Sequence, residues 1–247
     1  MNMFSYTEYK NIIALVTEHL PIVDFKEALR LDKFCVIRHD IEFSIDRALK
    51  LAVIERELGV TSTYTVQLRN NTYNALSKKN IEAVHEIKKM GHKIGLHQNP
   101  PVMDDDELLD YIQKDIQTLE YYYGFEIDRF AFHRCRGNSG VLGRYIEVPN
   151  KINCYDKRFF HYFVDKKPDQ LRVNYLADSN HQWKYGHPIH LDYKSAPFKL
   201  QLLTHPFSWT EAGYENINNF AKLIKERSNE MALDMETENY SFPKELL

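Results

Sequence analysis

Cysteine is scarce in this chain and unpaired in pattern. Cys35, Cys135 and Cys154 are odd in number and widely spaced, which fits neither a disulfide framework nor the paired spacing of a zinc ribbon. A reducing compartment suits such cysteines, and Cys35, inside an apolar run, reads as a core thiol. Long hydrophobic runs are missing too. No segment has the length and apolarity of a membrane span, and Met1 to Val16 is interrupted by charge too often for a secretory leader, so a cytoplasmic location is expected. Neither sign of charge is in excess: 32 Lys and Arg against 35 Asp and Glu leave a net charge of -3, which argues against a nucleic-acid backbone as partner. No repeat, low-complexity linker or compositional break divides residues 1-247, so the chain reads as a single domain of the size that (β/α) barrels commonly reach. Oligomeric state leaves no trace in the sequence.

Hydrophobic residues at 43%, with 13% aromatic, are enough for a substantial core, and eleven histidines keep metal or acid–base chemistry open. The first element predicted is an amphipathic helix over residues 5-19 with Tyr9, Ile12, Ile13 and Val16 on one face. An apolar run, Phe34 to Ile37, follows as a strand. Ser44 then caps a helix whose face is Ile45, Ala48, Leu49, Ala52 and Val53, ended by Gly59. A β-rich segment from Thr61 to Val66 precedes a helix opened by Ser77 through Ile81, Val84 and Ile87. Ile94 to His97 is a short strand, and Asp104 with Glu107 starts a helix through Leu108, Ile112, Ile116 and Leu119. Phe130 to His133 is again strand-like. Steady alternation of strand and helix means βαβ units and a parallel sheet. In the second half, Val173 to Ala177 and Leu200 to Thr204 read as strands and Asn216 to Arg227 as a final helix, with loops or short helices between about 138 and 170.

What ends each strand matters more than the strands themselves. The first runs into Arg38-His39-Asp40-Ile41-Glu42, the next ones into His97 and His133-Arg134, and the later ones into Asp178-Ser179-Asn180-His181 and His205-Pro206. A buried Arg38–Asp40 ion pair would account for the first segment alone. In a parallel barrel, however, all C-terminal strand ends open into one mouth, where active sites sit. Five such ends carrying His or Asp point to a site.

These segments resemble the motifs of the NodB-like polysaccharide deacetylases, carbohydrate esterase family 4. Gly91-His92-Lys93-Ile94-Gly95-Leu96-His97 resembles the second motif, and Arg38-His39-Asp40-Ile41-Glu42 a divergent Arg-His-Asp-x-Asp/Glu form of the first. Phe132-His133-Arg134 stands where the family carries its arginine motif, Ala177-Asp178-Ser179 with Trp183 resembles the fourth, and Leu202 to Pro206 the last. The resemblance spans about residues 30-210. It implies a distorted parallel (β/α) barrel of seven strands and a metal-dependent hydrolase, with a divalent ion, zinc by preference, that removes an acetyl group from an N-acetylated sugar. The expected setting is bacterial surface-polysaccharide biosynthesis. Hydrolysis of another linear or cyclic amide, or metal-free glycan binding, are the alternatives. Carried over by position, Asp40 is the general base, His97 a metal ligand and His205 the acid that protonates the leaving amine, while Arg134 or Asp178 orients the base or the acid.

Two positions differ from the family pattern. Ile41 stands where a second aspartate is expected, so Glu42, on the same strand face as Asp40, is the substitute metal carboxylate. Pro101 stands where the second ligand histidine is expected. A catalytic zinc needs three protein ligands, and among His133, His39 and His205 the expected replacement is His133. The metal set is therefore Asp40, Glu42, His97 and His133. Trp183 and Trp209, each just past a site strand, are candidates for stacking on a sugar. His19, His85, His161, His187, His190 and Tyr121-Tyr122-Tyr123 read as packing or surface residues. Asp104-Asp105-Asp106 reads as a helix start favoured by the macrodipole.

Overall fold

In a computed structural model, described over residues 3–100, 104–134, 141, 146–160, 173–184, 186–194 and 199–246, the apolar run at residue 34 forms the central strand. This strand, β1 (Phe34–Ile41), is buried along its whole length. It pairs with β2 (Thr63–Val66) on one side and with β7 (Lys199–Thr204) on the other, both in parallel. β3 (Lys93–Gln98), β4 (Arg129–Phe132) and β5 (Ile152–Asn153) continue the sheet beyond β2, and β6 (Val173–Ala177) lies outside β7. The spatial order β5-β4-β3-β2-β1-β7-β6 has a simple meaning. Apart from the pair β5 and β6, each strand lies beside its neighbour in sequence, and the last strand lies beside the first. That is barrel connectivity, open at a single seam: among the described residues no ladder joins β5 to β6. The chain therefore folds as a distorted parallel (β/α) barrel of seven strands.

Helices α1 (Tyr6–His19), α3 (Ile45–Glu57), α4 (Lys78–Lys89), α5 (Asp105–Tyr123) and α6 (Asn216–Glu238) surround it, and the one-turn α2 (Phe25–Ala28) precedes β1. Their starts follow local chemistry. Ser5, Ser44, Ser77 and Asp104 each accept a hydrogen bond from a backbone N–H of the first turn, satisfying donors that the helix itself leaves free. α3 buries Ile45, Ala48 and Ala52 as expected, with Leu49 partly buried, but its buried face is wider than the sequence suggested. Leu51 and Ile54 are buried and Val53 is exposed, because the helix packs against both the sheet and α1. α6 runs well past Arg227 to Glu238, and β5 lies in the stretch read as loops or short helices.

The period of two along each strand sorts residues between the interior and the helix layer. Outward-facing Cys35, Ile37, Leu200 and Leu202 pack under Tyr9, Ile12, Ile13 and Val16 of α1, so the N-terminal helix covers the β1–β7 face. Ile94, Leu96, Phe130 and Phe132 pack under α4 and α5. Inward-facing residues form layers. Near the N-terminal strand ends Phe34, Val36, Ala131 and Cys154 meet Phe25 and Phe159. Above them the interior turns polar. Arg38 donates from Nη1 to Gln201 Oε1 at 2.8 Å and from Nη2 to Tyr155 Oη at 2.7 Å, and Gln201 donates to the carbonyls of Cys154 and Phe159. Gly95 has no room for a side chain: a Cβ there would stand 2.8 Å from Arg129 Cγ and 3.2 Å from Thr65 Cγ2.

Candidate active site

The polar layers continue toward the C-terminal strand ends. Asp40, the last inward residue of β1, is buried and ringed by donors. Thr65 on β2 donates to its Oδ1 at 2.7 Å, Arg38 Nη2 donates to Oδ2 at 3.1 Å, and Arg38 Nε stands 3.0 Å from Oδ1. Burial alone would raise the Asp40 pKa, but Arg38, with His97 and His205, outweighs it and holds the carboxyl well below the usual carboxylate range. The guanidinium that fixes Asp40 is thus Arg38. Arg134, the residue assigned to that task by position, is exposed at the end of β4 with a φ of 50° and lines the pocket mouth.

One step further out, three ligand-type side chains meet. His97 Nε2 at the end of β3 lies 3.2 Å from His133 Nδ1, and His133 Nδ1 lies 3.1 Å from Glu42 Oε1. Donor atoms of Glu42, His97 and His133 all fall within 4.8 Å of one another. Of the four residues expected to bind metal, these three cluster, and Asp40 sits beneath them, its Oδ2 3.7 Å from His97 Nδ1. Pro101 lies outside the described residues, as do Cys135 and His161.

The three residues fit a divalent cation. Donors around a tetrahedral zinc stand about 3.3 Å apart, given bonds of about 2.0–2.1 Å, and two of the edges here are 3.1 and 3.2 Å. His133 Nδ1 faces a nitrogen and a carboxylate oxygen at once, a convergence that a cation satisfies better than one shared proton. Burial, only partly opposed by Asp40, pushes the His97 pKa down to about 4, so its imidazole is neutral and has a lone pair to give at neutral pH. His97 Nδ1 is buried without a hydrogen-bond partner. Glu42 stays ionised: burial would raise its pKa, but His205 and the hydrogen bond with His133 bring it below the ordinary value.

His205, just after β7, faces this cluster. Its Nε2 is 3.8 Å from Glu42 Oε1, while its Nδ1 hydrogen-bonds Asp178 Oδ1 at 2.6 Å. Asp178 is fully buried, accepts the His205 backbone N–H, and takes the Trp209 indole N–H at 2.8 Å. The carboxylate therefore fixes the ring and keeps its proton on Nδ1. Burial lowers the His205 pKa, yet Glu42 and Asp178 overcome it and push it up to about 9. Its Nε2 thus carries a proton at neutral pH and faces the cluster. Trp209 corrects an expectation. It is wholly buried against Phe4 and Tyr9 and serves Asp178, so it offers no platform to a sugar.

Glu42 and His133 open into a cavity of about 360 Å³. Its wall is rich in amides, with Gln67, Asn70, Asn71, Asn99, Asn180 and Asn216, and it includes Phe43, Phe207 and Phe220 packed edge to face or tilted. Side-chain amides both donate and accept, so the wall suits a ligand with hydroxyl and amide groups.

On the opposite face of β1 lies a network that sequence reasoning missed. Glu55, on the buried face of α3, accepts from Tyr9 Oη at 2.6 Å, Tyr64 Oη at 2.7 Å and Ser62 Oγ at 2.6 Å, and pairs with His39 Nε2 at 2.9 Å. His39 Nδ1 in turn meets Thr204 Oγ1 at 2.6 Å. His39 precedes Asp40 and Thr204 precedes His205, so one buried carboxylate braces the backbones that carry both. The available signal was positional: Glu55 falls one turn after Leu51 on the apolar face of α3.

No protein-family model matches the sequence, and no curated protein matches it. Solved structures do. The chitin deacetylase of the fungal pathogen Colletotrichum lindemuthianum aligns over 78% of this chain and 81% of its own, at 13% identity and a TM-score of 0.47. A family 4 carbohydrate esterase from Bacillus anthracis aligns over 90% and 86%, at 15% identity and a TM-score of 0.43. A mutant of a family CE4 pseudoenzyme, with restored activity, aligns at 15% identity and a TM-score of 0.43, and the alignment spans 62% of that protein's length. In structure this chain is similar, at low sequence identity, to family 4 carbohydrate esterases and chitin deacetylases, the NodB-like group that its strand-end motifs resemble.

Proposed function

We propose that the protein is a metal-dependent hydrolase that removes an acetyl group from an N-acetylated sugar, in the synthesis of a surface polysaccharide. The observation that carries this reading is the meeting of Glu42, His97 and His133 at the strand ends, with Nε2 of a buried His205 opposite them. Glu42, His97 and His133 would hold the ion, zinc being the natural choice for two imidazoles and a carboxylate. When bound, such an ion polarises the amide carbonyl and acidifies the attacking water.

The remaining work falls to the chain itself. Asp40 Oδ2 receives the proton of the attacking water. Arg38 makes Asp40 a weak base, which suffices only for a water already made acidic. His205 Nε2 gives its proton to the departing nitrogen, with the imidazolium held by Asp178. The amide wall holds the sugar through its hydroxyls, and Phe43, Phe207 and Phe220 supply apolar surface.

The test is hydrolysis of N-acetylated oligosaccharides by zinc-loaded protein, read by release of acetate. The wild type is expected to be active, and Asp40→Asn to lose about 10²- to 10⁴-fold in rate with the fold and the bound metal intact. Full activity in Asp40→Asn would remove Asp40 as the base.

A further inference from the structure

The last helix, α6, is attached to the barrel along one face and carries an unpartnered seam on another. Its inner face is tied down by Asn219, which accepts from Arg47 Nη1 at 2.7 Å, by Leu223, which is buried, by Glu226, paired with Arg47 Nε at 2.9 Å, and by Arg227, which donates to the Thr72 carbonyl. About a third of a turn away run Ile217, Ala221, Ile224, Ser228, Met231 and Met235, every one of them exposed. The spacing is 4, 3, 4, 3, 4, the heptad period of a helix that packs along another helix. Ile217 is 76% exposed, Ile224 67%, Met231 55% and Met235 49%. Single exposed apolar residues are ordinary. Four large ones in heptad register on one helix are not.

The charges of the same helix say what covers the seam. With Glu226 and Arg227 engaged by the barrel, the charges of residues 216–228 that remain free of it are Lys222 and Lys225, or +2. In residues 229–238 Glu230 is paired with Lys79 and Arg227, and Asp234, Glu236 and Glu238 remain with no base in that stretch, or -3. A second copy laid antiparallel sets the basic half of each helix against the acidic half of the other, whereas a parallel copy would set like charge on like.

We propose that the chain forms a twofold dimer through antiparallel packing of α6 along this seam. The contact runs 19 residues, from Ile217 to Met235, about 27 Å at 1.5 Å per residue step, and one helix pair buries an area at the small end of specific interfaces. The dimer is accordingly weak, with a dissociation constant on the order of 10 to 100 µM. Since Asn216 and Phe220 line the catalytic-site cavity, the seam begins at its mouth, and the end of the second copy's helix would border it.

Sedimentation velocity on the full chain between 2 and about 300 µM decides the matter. The wild type is expected to pass from monomer to dimer across that range. Ile224→Lys, which changes a solvent-facing side chain, should stay monomeric with an unaltered melting temperature. Lys222→Glu with Lys225→Glu should weaken the dimer about tenfold or more, and adding Asp234→Lys with Glu236→Lys should restore it. A wild type that stays monomeric at the highest concentration overturns the proposal. So does a dimer that Ile224→Lys leaves intact, or one indifferent to the lysine reversal, since a parallel pair would not respond to it.

Discussion

Replacing Glu55 by Gln tests whether the buried carboxylate under β1 is a main support of the fold. The carboxylate accepts from three hydroxyls and pairs with His39, and it is wholly shielded from water. Burial raises its pKa, but His39 and the hydrogen bonds more than reverse that and bring it down from 4.5 to about 2. A carboxyl with a depressed folded pKa stabilises above its unfolded pKa and loses that contribution as pH falls toward the folded value. The difference, about 2.5 pH units at 1.36 kcal/mol each, makes the charge worth about 3 kcal/mol at neutral pH. Glutamine keeps the shape but exchanges one acceptor oxygen for an NH₂ donor, so the hydroxyls that donate to that oxygen must turn and accept or lose their partner, and the negative charge facing His39 is gone. The expected loss is about 3–5 kcal/mol. Urea unfolding followed by tryptophan fluorescence, repeated from pH 7 to pH 2.5, checks both parts. Wild-type stability should fall between pH 4.5 and about 2, and Glu55→Gln should be weaker at pH 7 and lose less over that interval. A variant within about 1 kcal/mol of wild type, with the same acid dependence, would refute the reasoning.

Three further outcomes follow from the site. His133→Ala removes one of three clustered donors and should lower zinc affinity by about 10²-fold or more while leaving the melting temperature of the metal-free protein within a few degrees; unchanged affinity in a zinc titration would remove His133 from the site. His205→Ala should abolish most of the rate while keeping the metal, as measured by acetate release beside metal analysis; loss of the metal instead would make His205 a ligand. Gly95→Ala would force Arg129 and Thr65 apart in a filled interior and should cost about 1–3 kcal/mol in chemical denaturation.

The barrel was legible because most of its strands are buried and read as short apolar runs, and β1, β2 and β3 are each followed by a helix that Ser44, Ser77 or Asp104 caps. The candidate site was legible at the strand ends, where Asp40, His97, His133 and His205 follow those runs at inward positions. Sequence did not separate the two carboxylates. Only the geometry shows Glu42 with the histidines and Asp40 pinned by Arg38 beneath them. The guanidinium beside Asp40 comes from two residues away on its own strand, a pairing that the bland ion-pair reading of that segment anticipated. Short elements were invisible: α2 and β5 have too few residues to show a period. The far half of α6 was missed for a different reason. Beyond Arg227 it buries almost nothing, so it has no core-facing stripe to read.

The most direct test of the central claim is metal content. Protein stripped with chelator, reloaded with zinc and desalted should retain close to one ion per chain, and Glu42→Gln should lose it while keeping the wild-type circular dichroism spectrum. Retention below about one-tenth of an ion per chain in the folded wild type would contradict a metal centre at Glu42, His97 and His133.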